Sequence, residues 1–574
     1  MLPANRWRPS CPLKKSRISD GGRMKLIECI PNFSEGSDRR VIDAIAAVIG
    51  AVDGVTLLDV DPGAATNRTV MTFAGSPEAV EEAAFAAIEK AADLIDMRTH
   101  HGEHPRMGST DVCPFVPLDG ASMEDCVQIA QRLGERVGAE LRIPVYLYGE
   151  AASCPEHRSL ADVRRGEYEG LADREDEPDF GPTGFNAKNG AIAIGARNFL
   201  IAYNVNLNTR DRRIANRIAG ALRESGRPKR GPDGKVERDA NGVALREPGR
   251  FTHLRGVGWY IEEYGRAQVS FNLTDPDITS LHAVFDAACE EAGRLGVRVT
   301  GSEIVGLVPR RAMLAAGDHY LRAQGKTTGV PEAERMHIAA LSLGLDDVSP
   351  FDPADKVIEY RYQGVPSGLV NHSLRHFADV LSAGTPTPGG GSVAALAASL
   401  SVALTSMVAA LTFSKTSDTK MEDTGRSAQL LKDWFLDAVD RDTESFDSLM
   451  EAMRLPRKTD AERLARDRAV QDATLTASIV PLEVIEHCVA ALDAAAVVAK
   501  SGNESAVSDT GVAAMCALAA AEGASLNVRI NLSSLPDHPE TEHLQARRSA
   551  ALESSRTLAS KVLATVESRI AGDQ

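Results

Sequence analysis

The chain has 574 residues, of which 43% are hydrophobic and 25% are charged, so it can form about three or four domain-sized units with sizeable cores. Its formal net charge of −16 argues against non-specific nucleic-acid binding, because the phosphate backbone rewards lysine and arginine. An anionic substrate would require positive charge to be gathered locally against this overall field.

The cysteines and the N-terminus indicate the compartment. The eight cysteines are scattered, with no CxxC pair and no spacing typical of metal ligands. This pattern predicts a reduced, cytoplasmic protein. Residues 1–23 are basic and irregular and lack the apolar segment of a signal peptide. We therefore expect a disordered extension there, or an artefact of start-codon choice.

The first half mixes strands and helices. Its first elements, in order, are predicted at Lys25–Ile30 (strand), Asp38–Gly50 (helix), Val55–Val60 (strand), Arg68–Phe73 (strand) and Pro77–Ile95 (helix). The alternation returns at Ala191–Asn204 (strands), Arg210–Glu224 (helix), Ala267–Leu273 (strand), Ile278–Leu295 (helix) and Val297–Val308 (strand and turn). PDG and NG within 226–250 predict an exposed loop or a small hairpin. The pattern favours two layered α/β subdomains that meet near residue 200, with a ligand cleft between them.

The second half is helical. After a linker-like stretch at Tyr362–Asn371, helical periodicity runs through Leu374–Ala383, Ser392–Phe413, Ala428–Met453, Thr459–Val497, Ser508–Asn531 and Glu540–Ile570. This predicts an all-α bundle. Ser392–Phe413 is long enough to cross a bilayer, but its Ala/Ser-rich composition without an aromatic belt favours a buried bundle helix and no membrane. The expected domains are a 1–23 extension, α/β subdomains at 24–199 and 200–362, a linker at 363–368 and a helical domain at 369–574.

The segment HHGEHPRMGSTDVCPFVP (100–117) gathers three histidines with Glu103, Arg106 and Asp111. Imidazoles bind zinc, but the spacing is not HExxH, and a glycine and a proline interrupt any helix. A polar surface loop without a role is a second interpretation. A third is general acid/base catalysis, because an imidazole has a pKa near neutrality.

Three other segments of the first half could face a ligand. LLDVDPGAATNRTVMTF (57–73) places Asp59 and Asp61 at a strand end, although a simple polar turn explains them equally well. FGPTGFNAKNG (180–190) and GRFTHLRGVGWY (249–260) combine glycines with lysine or arginine, which can cradle carboxylates. Neither matches a Walker or dinucleotide-binding fingerprint.

Asp442 is conspicuous in the helical bundle. In Ala428–Met453 it falls on the apolar face between Val439 and Phe446, while Asp433, Asp437, Asp440, Glu444 and Asp447 fall on the opposite, solvated face. Burial should raise the pKa of this carboxyl towards the range useful for proton transfer. The alternative is a structural ion pair with a basic residue of another helix.

Two further features of the bundle have structural alternatives. AGTPTPGGGSVAAL (383–396) places three glycines before a helix N-terminus, which favours an anion or simply allows close helix approach. The polar residues at the start of Lys500–Leu532 are explained by helix capping. Asn527, Arg529 and Asn531 are polar insertions near its end.

Two ordered series of motifs resemble one enzyme family. The first half carries LIECIPNFSEG, LLDVDPGAATNRTV, HHGEHPRMGSTDVCPFVP, PVYLYGEAA, RRGEYEGL, PDFGPTGF, GVGWY and IVGLVP. The second half carries TPGGGSVAA, VDRDTESFDSLMEAMRLP, SDTGVAA and NVRINL. They resemble, respectively, the formiminotransferase and cyclodeaminase halves of the formiminotransferase-cyclodeaminase family, over about residues 24–570.

The resemblance implies transfer of a formimino group from N-formimino-L-glutamate to N5 of tetrahydrofolate, then closure onto N10 with release of ammonia, at the end of histidine degradation. It matches His104 to the family's catalytic histidine, Asp61 to its partner carboxylate and Asp442 to the cyclodeaminase aspartate. The candidate folate-binding residues are Gly181, Pro182, Thr183, Gly184, Phe185, Asn186, Gly190, Gly249, Arg250, Gly256 and Gly258. The cyclodeaminase site candidates are Gly389, Gly390, Gly391 and Ser392.

The resemblance implies no metal and no bound cofactor, since tetrahydrofolate, with or without a polyglutamate tail, is a substrate. The family forms an assembly of dimers, often an octameric ring. The 226–248 loop is longer than expected for the family, and its lysines and arginines offer a binding surface for an anionic tail. Two alternatives are that only one half is active, the other serving assembly or folate binding, and that the chain is a non-catalytic folate-binding scaffold.

Overall fold

The structure is a computed structural model that describes residues 25–63, 67–102, 105–231, 235–239, 241–363, 368–383, 385 and 387–572. The chain divides into two compact units. The first comprises Met1–Met313 with Leu343–Gly364, and the second comprises Leu314–Ser342 with Val365–Gln574. Residues 314–342 therefore group with the second unit, whereas the expected boundary at residue 362 placed them in the first half.

The strands are β1 (Ile27–Cys29), β2 (Asn32–Phe33), β3 (Val55–Gly63), β4 (Arg68–Gly75), β5 (Thr110–Pro117), β6 (Val145–Gly149), β7 (Ile192–Ala196), β8 (Ile201–Leu207), β9 (Arg227–Pro228), β10 (Arg246–Glu247), β11 (Leu254–Ile261), β12 (Arg266–Leu273) and β13 (Val299–Val305).

The α-helices are α1 (Arg39–Gly50), α2 (Pro77–Leu94), α3 (Met123–Arg136), α4 (Leu160–Val163), α5 (Arg212–Leu222), α6 (Leu281–Arg294), α7 (Arg310–Ala323), α8 (Glu332–Leu343), α9 (Pro353–Lys356), α10 (Ile358–Gln363), α11 (Leu374–Leu381), α12 (Gly390–Thr416), α13 (Thr419–Met453), α14 (Asp460–Ser501), α15 (Val507–Leu532) and α16 (Thr541–Ala571).

The larger sheet of the first unit has seven strands in the order β1-β4-β2-β5-β7-β6, with β3 paired to β4. The β5–β7 and β6–β7 pairs are parallel, and the β3–β4 pair at the other edge is antiparallel. One face carries an apolar core shared with α1, α2 and α3, in which Ile27, Phe73 and Phe115 are fully buried. Because side chains alternate along a strand, the residues between these core positions point to the opposite face.

Side-chain caps fix where the covering helices begin. Asp38 accepts a hydrogen bond from the backbone of Arg40 at the start of α1, and Ser76 accepts one from Ala79 at the start of α2. Such oxygens satisfy N–H groups that have no partner within the helix. The predicted helices Asp38–Gly50 and Pro77–Ile95 are therefore confirmed to within one residue at each end.

The smaller sheet has four strands in the order β11-β12-β8-β13, all antiparallel. Helix α5 packs against β11, and the polypeptide between α5 and β11 forms a short hairpin in which Arg246 pairs with Pro228 and Glu247 pairs with Arg227. The small hairpin predicted within 226–250 is thus present. The two sheets confirm the predicted pair of α/β layers.

The second unit is built from long helices, α11 to α16, as predicted for an all-α bundle. The loop between α7 and α8 packs onto α12 and α13. Glu422 accepts hydrogen bonds from the backbone N (3.1 Å) and Oγ1 of Thr328, and Ser406 Oγ donates to the Gly329 carbonyl at 3.1 Å. Gly329 also lies directly against Gly425, and a Cβ on Gly329 would lie 2.8 Å from the Gly425 carbonyl carbon, so a side chain there would prevent the close approach.

Two helical segments, Gly390–Thr416 and Glu504–Leu532, are long and apolar enough to cross a membrane by length and composition. In the structure α12 packs against α13, α14 and α15, and α15 packs against α14 and α16. Small residues such as Ala398 and Ser401, both fully buried, allow this close packing. Helix α12 is therefore packed within the bundle, as predicted for Ser392–Phe413.

Candidate functional sites

Asp61 lies on the face of the larger sheet opposite α1, α2 and α3. It pairs with Val70 of β4, and Asn32 of β2 pairs with the same Val70 from the other side. Cross-strand partners project to the same face. Met71 and Phe73 project into the helix-covered core, so Asp61 and Asn32 project away from it. The structure thus places Asp61, which is exposed, on the edge strand β3 and on the face that α1, α2 and α3 leave uncovered.

Asn67 and Arg68 connect this surface to the histidine-rich loop. The Asn67 amide nitrogen donates to the carbonyl of His101 at 2.9 Å, and its oxygen accepts from the Gly36 amide at 3.0 Å. Arg68 donates from Nε to Asn32 Oδ1 at 3.2 Å and from Nη1 to the Pro105 carbonyl at 3.4 Å. These bonds hold the start of β4, which follows Asp61 in the chain, against His101 and Pro105.

His104 and Glu103 lie outside the described residues, so the predicted catalytic position of His104 remains a prediction. His100 is described and buried. Its Nε2 lies 2.9 Å from the Asn67 carbonyl, and its Nδ1 lies 3.3 Å from Arg106 Nε. Burial lowers the pKa of His100, and the adjacent Arg106 guanidinium lowers it further. Both ring nitrogens are engaged, which disfavours His100 as a ligand in the zinc interpretation.

A cleft of about 450 Å³ opens beside this loop and is lined by His101, Gly102, Arg106, Gly166, Glu167 and Glu169. Arg106 forms two hydrogen bonds with the Glu169 carboxylate, at 2.7 and 2.8 Å. Glu167 has a left-handed backbone (φ 56°), a conformation uncommon for residues other than glycine. In the sequence, RRGEYEGL (164–171) is recognisable only as a motif shared with the family. Its place at the cleft is a product of long-range folding.

The predicted folate segment Gly181–Gly190 lies next to the same cleft. Tyr168 donates from its hydroxyl to the Ala187 carbonyl at 2.6 Å, and its ring lies 5.5 Å from that of Phe185. The Phe185 side chain is 45% exposed, so an aromatic face is available for stacking with a planar ring. Gly181, Thr183 and Gly184 are exposed as well, whereas Pro182 and Asn186 are half-buried and Gly190 is buried.

The second predicted folate segment, Gly249–Gly258, belongs to the smaller sheet and borders a different cleft. That cleft measures about 390 Å³ and is lined by Arg223, Glu224, Ser225, Leu254, Arg255 and Gly256. Arg250 pairs with Glu290 at 2.6 Å, and Gly258 packs so closely on α5 that a Cβ would lie 2.8 Å from Ala215 Cβ. The first segment thus lies next to one cleft, the second contributes Gly256 to the lining of another, and packing alone accounts for Gly258.

In the second unit, Asp442 meets the glycine-rich turn at the N-terminus of α12. Ser392 donates from Oγ to Asp442 Oδ2 at 2.9 Å, and Thr443 Oγ1 lies 3.3 Å from Ser392 Oγ. A Cβ on Gly391 would lie 2.5 Å from Asp442 Cγ and 2.6 Å from Oδ2, so any side chain at this position would displace the carboxylate. The glycine turn and the aspartate are separate features of the sequence, and the structure joins them.

The pKa of Asp442 is raised by burial, while its hydrogen bonds with Ser392 oppose part of that rise. Asn527 approaches the same turn from α15, its amide atoms 3.6 and 3.7 Å from the position of a Cβ on Gly390. Gly389 caps α12 without a side-chain hydrogen bond. A carboxyl group with a raised pKa beside hydroxyl and amide groups is suited to proton transfer.

Other polar residues singled out in the bundle have structural roles. Pro481 lies inside α14 and has no N–H for the carbonyl of Ala477, and Asn531 donates to that carbonyl at 2.9 Å. Asp440, assigned to the solvated face, instead accepts from the Leu369 amide at 2.7 Å. Arg529 is exposed. These contacts favour the structural interpretation of Asn531 and Asp440.

The fold and these sites define an enzyme with two catalytic parts, an α/β body carrying a polar cleft and a helical bundle carrying a partly desolvated carboxyl. Family models match both parts in order. Residues 26–197 match the N-terminal subdomain of the formiminotransferase domain, residues 202–363 match the formiminotransferase domain, and residues 373–550 match formiminotransferase-cyclodeaminase.

Whole proteins of the same organisation are similar along nearly the full length. The rat formimidoyltransferase-cyclodeaminase is 43% identical over 561 residues, which are 95% of this chain and 99% of the rat protein. Glutamate formimidoyltransferase of Streptococcus pyogenes is 40% identical and covers 52% of this chain and 94% of its own. Methenyltetrahydrofolate cyclohydrolase of Methylorubrum extorquens is 34% identical and covers 35% of this chain and 98% of its own. The chain belongs to the formiminotransferase-cyclodeaminase family.

Proposed function

We propose that the chain transfers the formimino group of N-formimino-L-glutamate to N5 of tetrahydrofolate and then cyclises 5-formiminotetrahydrofolate to 5,10-methenyltetrahydrofolate with release of ammonia. The main support is that one chain carries both family domains and aligns with the rat protein over 95% of its length, while each half is also similar to a stand-alone folate or formimino enzyme. The contact of Asp442 with the glycine turn supplies a plausible centre for the second step.

In the first step, N5 of tetrahydrofolate attacks the amidine carbon of the donor. A C–N bond forms to N5, the bond from the same carbon to the glutamate nitrogen breaks, and glutamate leaves. The proton lost from N5 must reach the glutamate nitrogen. We assign this transfer to the His104 imidazole, which can accept and then return a proton near neutral pH. Asp61 orients the imidazole and favours its protonated form.

In the second step, N10 attacks the formimino carbon of the protonated intermediate. The N10 proton moves to the departing nitrogen, the bond from carbon to that nitrogen breaks, and ammonia leaves the methenyl cation behind. We assign the proton transfer to the Asp442 carboxyl, whose raised pKa lets it hold a proton closer to neutrality. Ser392 donates from its hydroxyl to Oδ2 and so orients this carboxyl at the glycine-rich turn.

We extend the proposal to the setting of the enzyme. The substrates are tetrahydrofolate, with or without a polyglutamate tail, and N-formimino-L-glutamate from histidine degradation, and no bound cofactor is needed. A cytoplasmic location is supported by seven described cysteines, all free. The family resemblance supports a homo-oligomer of dimers, as in an octameric ring.

One incubation tests the proposal. Wild-type protein is mixed with N-formimino-L-glutamate and tetrahydrofolate, and methenyl-folate absorbance and ammonia are followed together. Both should rise in equal amounts, and glutamate should match them. Glutamate without ammonia would restrict activity to the first half, and absence of both products would support a binding scaffold. Consumption of added methenyl-folate without ammonia would instead indicate a cyclohydrolase.

The alternative of one active half is better tested by point variants than by cutting the chain. A fragment that starts at residue 369 would lack the loop around Thr328 and Gly329 that contacts Glu422, Ser406 and Gly425 within the second unit. Loss of cyclodeaminase activity in such a fragment would reflect these missing contacts. Variants at Asp442 leave the contacts intact and separate chemistry from folding.

A further inference from the structure

Two guanidinium groups share one fully buried carboxylate near the first cleft. The side chain of Asp111 is 0% exposed. Its Oδ2 accepts from Arg68 Nη1 at 2.6 Å and from Arg164 Nη2, and its Oδ1 accepts from Arg164 Nε at 3.2 Å and from the Met107 amide at 3.0 Å. A carboxylate has about four acceptor positions, so Asp111 is saturated. One negative charge therefore faces two positive charges.

Among the described residues, the neighbouring groups add further positive charge. Burial and the charge of Arg164 both lower the pKa of Arg68, although Asp111 opposes them, which shows that the two cations lie close together. The guanidinium of Arg197 is a third positive group here, and it forms a hydrogen bond with Tyr148. Burial raises the pKa of the Tyr148 hydroxyl, and the charges of Arg197 and Arg164 oppose that rise. Near Arg197, burial raises the pKa of Glu28 to about 8, so this carboxyl is mostly uncharged at neutral pH. Positive charge is thus concentrated here in a chain of net charge −16.

Arg164 has the geometry to bind a further anion. Its side-chain hydrogen bonds to described residues both go to Asp111 and use Nε and Nη2, which leaves Nη1 of the fork for another acceptor. The side chain is 15% exposed, so a ligand can reach it. The fixed fork of a guanidinium suits carboxylate recognition, and the bond to Asp111 holds that fork in place.

The pair also contacts the chain segment that adjoins the assigned His104 in sequence. Arg68 donates to the carbonyl of Pro105, the residue that follows His104. Arg164 begins the turn whose Gly166 and Glu167 line the 450 Å³ cleft. We propose that Arg164, held by Asp111 beside Arg68, binds a carboxylate of the formimino donor and so places its amidine carbon near His104. This inference rests on the proposed first step.

Both substrates carry carboxylates, because folate also has a glutamate tail. The donor is favoured, since its carboxylates lie within a few bonds of the transferred carbon whereas the folate tail lies far from N5. The Arg164→Gln variant of the full-length protein should raise KM for the donor by about 10- to 100-fold, the usual effect of losing a charge-assisted hydrogen bond. KM for tetrahydrofolate and the cyclodeaminase rate should stay within about 3-fold.

The matched control is Arg165→Gln. Arg165 is the next residue, its side chain is 81% exposed, and it pairs with Asp162 on the surface. This variant should keep the wild-type KM for the donor. A donor analogue with carboxamides in place of its carboxylates adds a readout that structural damage would not produce. The wild type should discriminate about 10- to 100-fold against the analogue, and Arg164→Gln should lose most of that discrimination.

Wild-type protein provides a second measurement that does not depend on the folding of a variant. Labelling with an arginine-selective dicarbonyl is mapped by mass spectrometry, and the formimino donor should protect Arg164 but leave Arg165 unprotected. Full discrimination in Arg164→Gln, a raised KM for tetrahydrofolate instead of the donor, or labelling of Arg164 unchanged by saturating donor would each overturn the assignment. Failure of the wild type to transfer any formimino group would refute the proposed function itself.

Discussion

The contact between Gly391 and Asp442 yields the sharpest test of the second site. In Gly391→Ala the new Cβ would lie 2.5 Å from Asp442 Cγ, far inside van der Waals distance, so the carboxylate must move. Moving it also breaks its bond with Ser392 Oγ. General acid/base residues contribute about 10²- to 10⁴-fold to rate, equivalent to about 3–5 kcal/mol of activation free energy, so cyclodeaminase kcat should fall by that range.

In Gly391→Ala the free energy of unfolding should fall by less than the activation free energy of the cyclodeaminase step rises. Overpacking costs about 1–3 kcal/mol, and the gain in helix propensity from glycine to alanine offsets up to about 1 kcal/mol of it. The control is Gly523→Ala on α15, where a Cβ would lie 3.6 Å from Ala394 and the activity should be kept. Both variants are assayed with 5-formiminotetrahydrofolate for the second step and with the two primary substrates for the first. Cyclodeaminase activity within 3-fold of wild type in Gly391→Ala, with first-step activity intact, would refute the role of the Asp442 position.

Three further predictions concern stability and pH. Asn531→Leu should destabilise the second unit by about 1–3 kcal/mol, because the Ala477 carbonyl loses its donor. The loss should be smaller in a Pro481→Ala background, where residue 481 supplies an N–H to that carbonyl. Chemical denaturation of the wild type, both single variants and the double variant measures these differences. Glu28 has a folded-state pKa of about 8 against 4.5 unfolded, so its contribution to stability is present below pH 4.5 and is lost as pH rises to about 8. The free energy of unfolding should fall by up to about 1.4 kcal/mol per pH unit over this range. Glu28→Gln should abolish that pH dependence of the free energy of unfolding. Burial lowers the pKa of His100 below 6.5, so its stabilising contribution is present above pH 6.5 and is lost as pH falls from 6.5 through the folded-state value. Transferase kcat should fall there, because His100 holds the loop beside the first cleft through Asn67 and Arg106. His100→Gln should lose that acid limb of the pH profile, and an unchanged profile would contradict this positioning role.

The two-part architecture was predictable because it depends on local periodicity. The helical wheel identified Asp442 before any resemblance was considered, since a carboxylate on an apolar face is visible within one helix. The first unit was harder. His104 was selected among three histidines only by its motif, and it lies outside the described residues. The roles of His104, Asp61 and Asp442 therefore remain predictions.

Long-range contacts explain what the sequence analysis missed. The carboxylate of Asp111 is bonded by Arg164, 53 positions away, and no spacing rule connects them. Residues 314–342 follow the α/β pattern directly in sequence, yet they pack with the bundle through Glu422 and Gly425. Asn531 is a polar insertion with no partner predictable from the sequence, and its partner is a carbonyl left without an N–H by a proline on another helix.

The claim that one chain contains two separate acid-base sites is tested most directly by comparing His104→Ala with Asp442→Asn. With formimino-glutamate and tetrahydrofolate supplied, Asp442→Asn should form glutamate and 5-formiminotetrahydrofolate but neither ammonia nor methenyl-folate. His104→Ala should form no glutamate, yet it should convert supplied 5-formiminotetrahydrofolate to methenyl-folate and ammonia at the wild-type rate. If either variant kept both activities, or either lost both while remaining folded, the assignment of one site to each half would be contradicted.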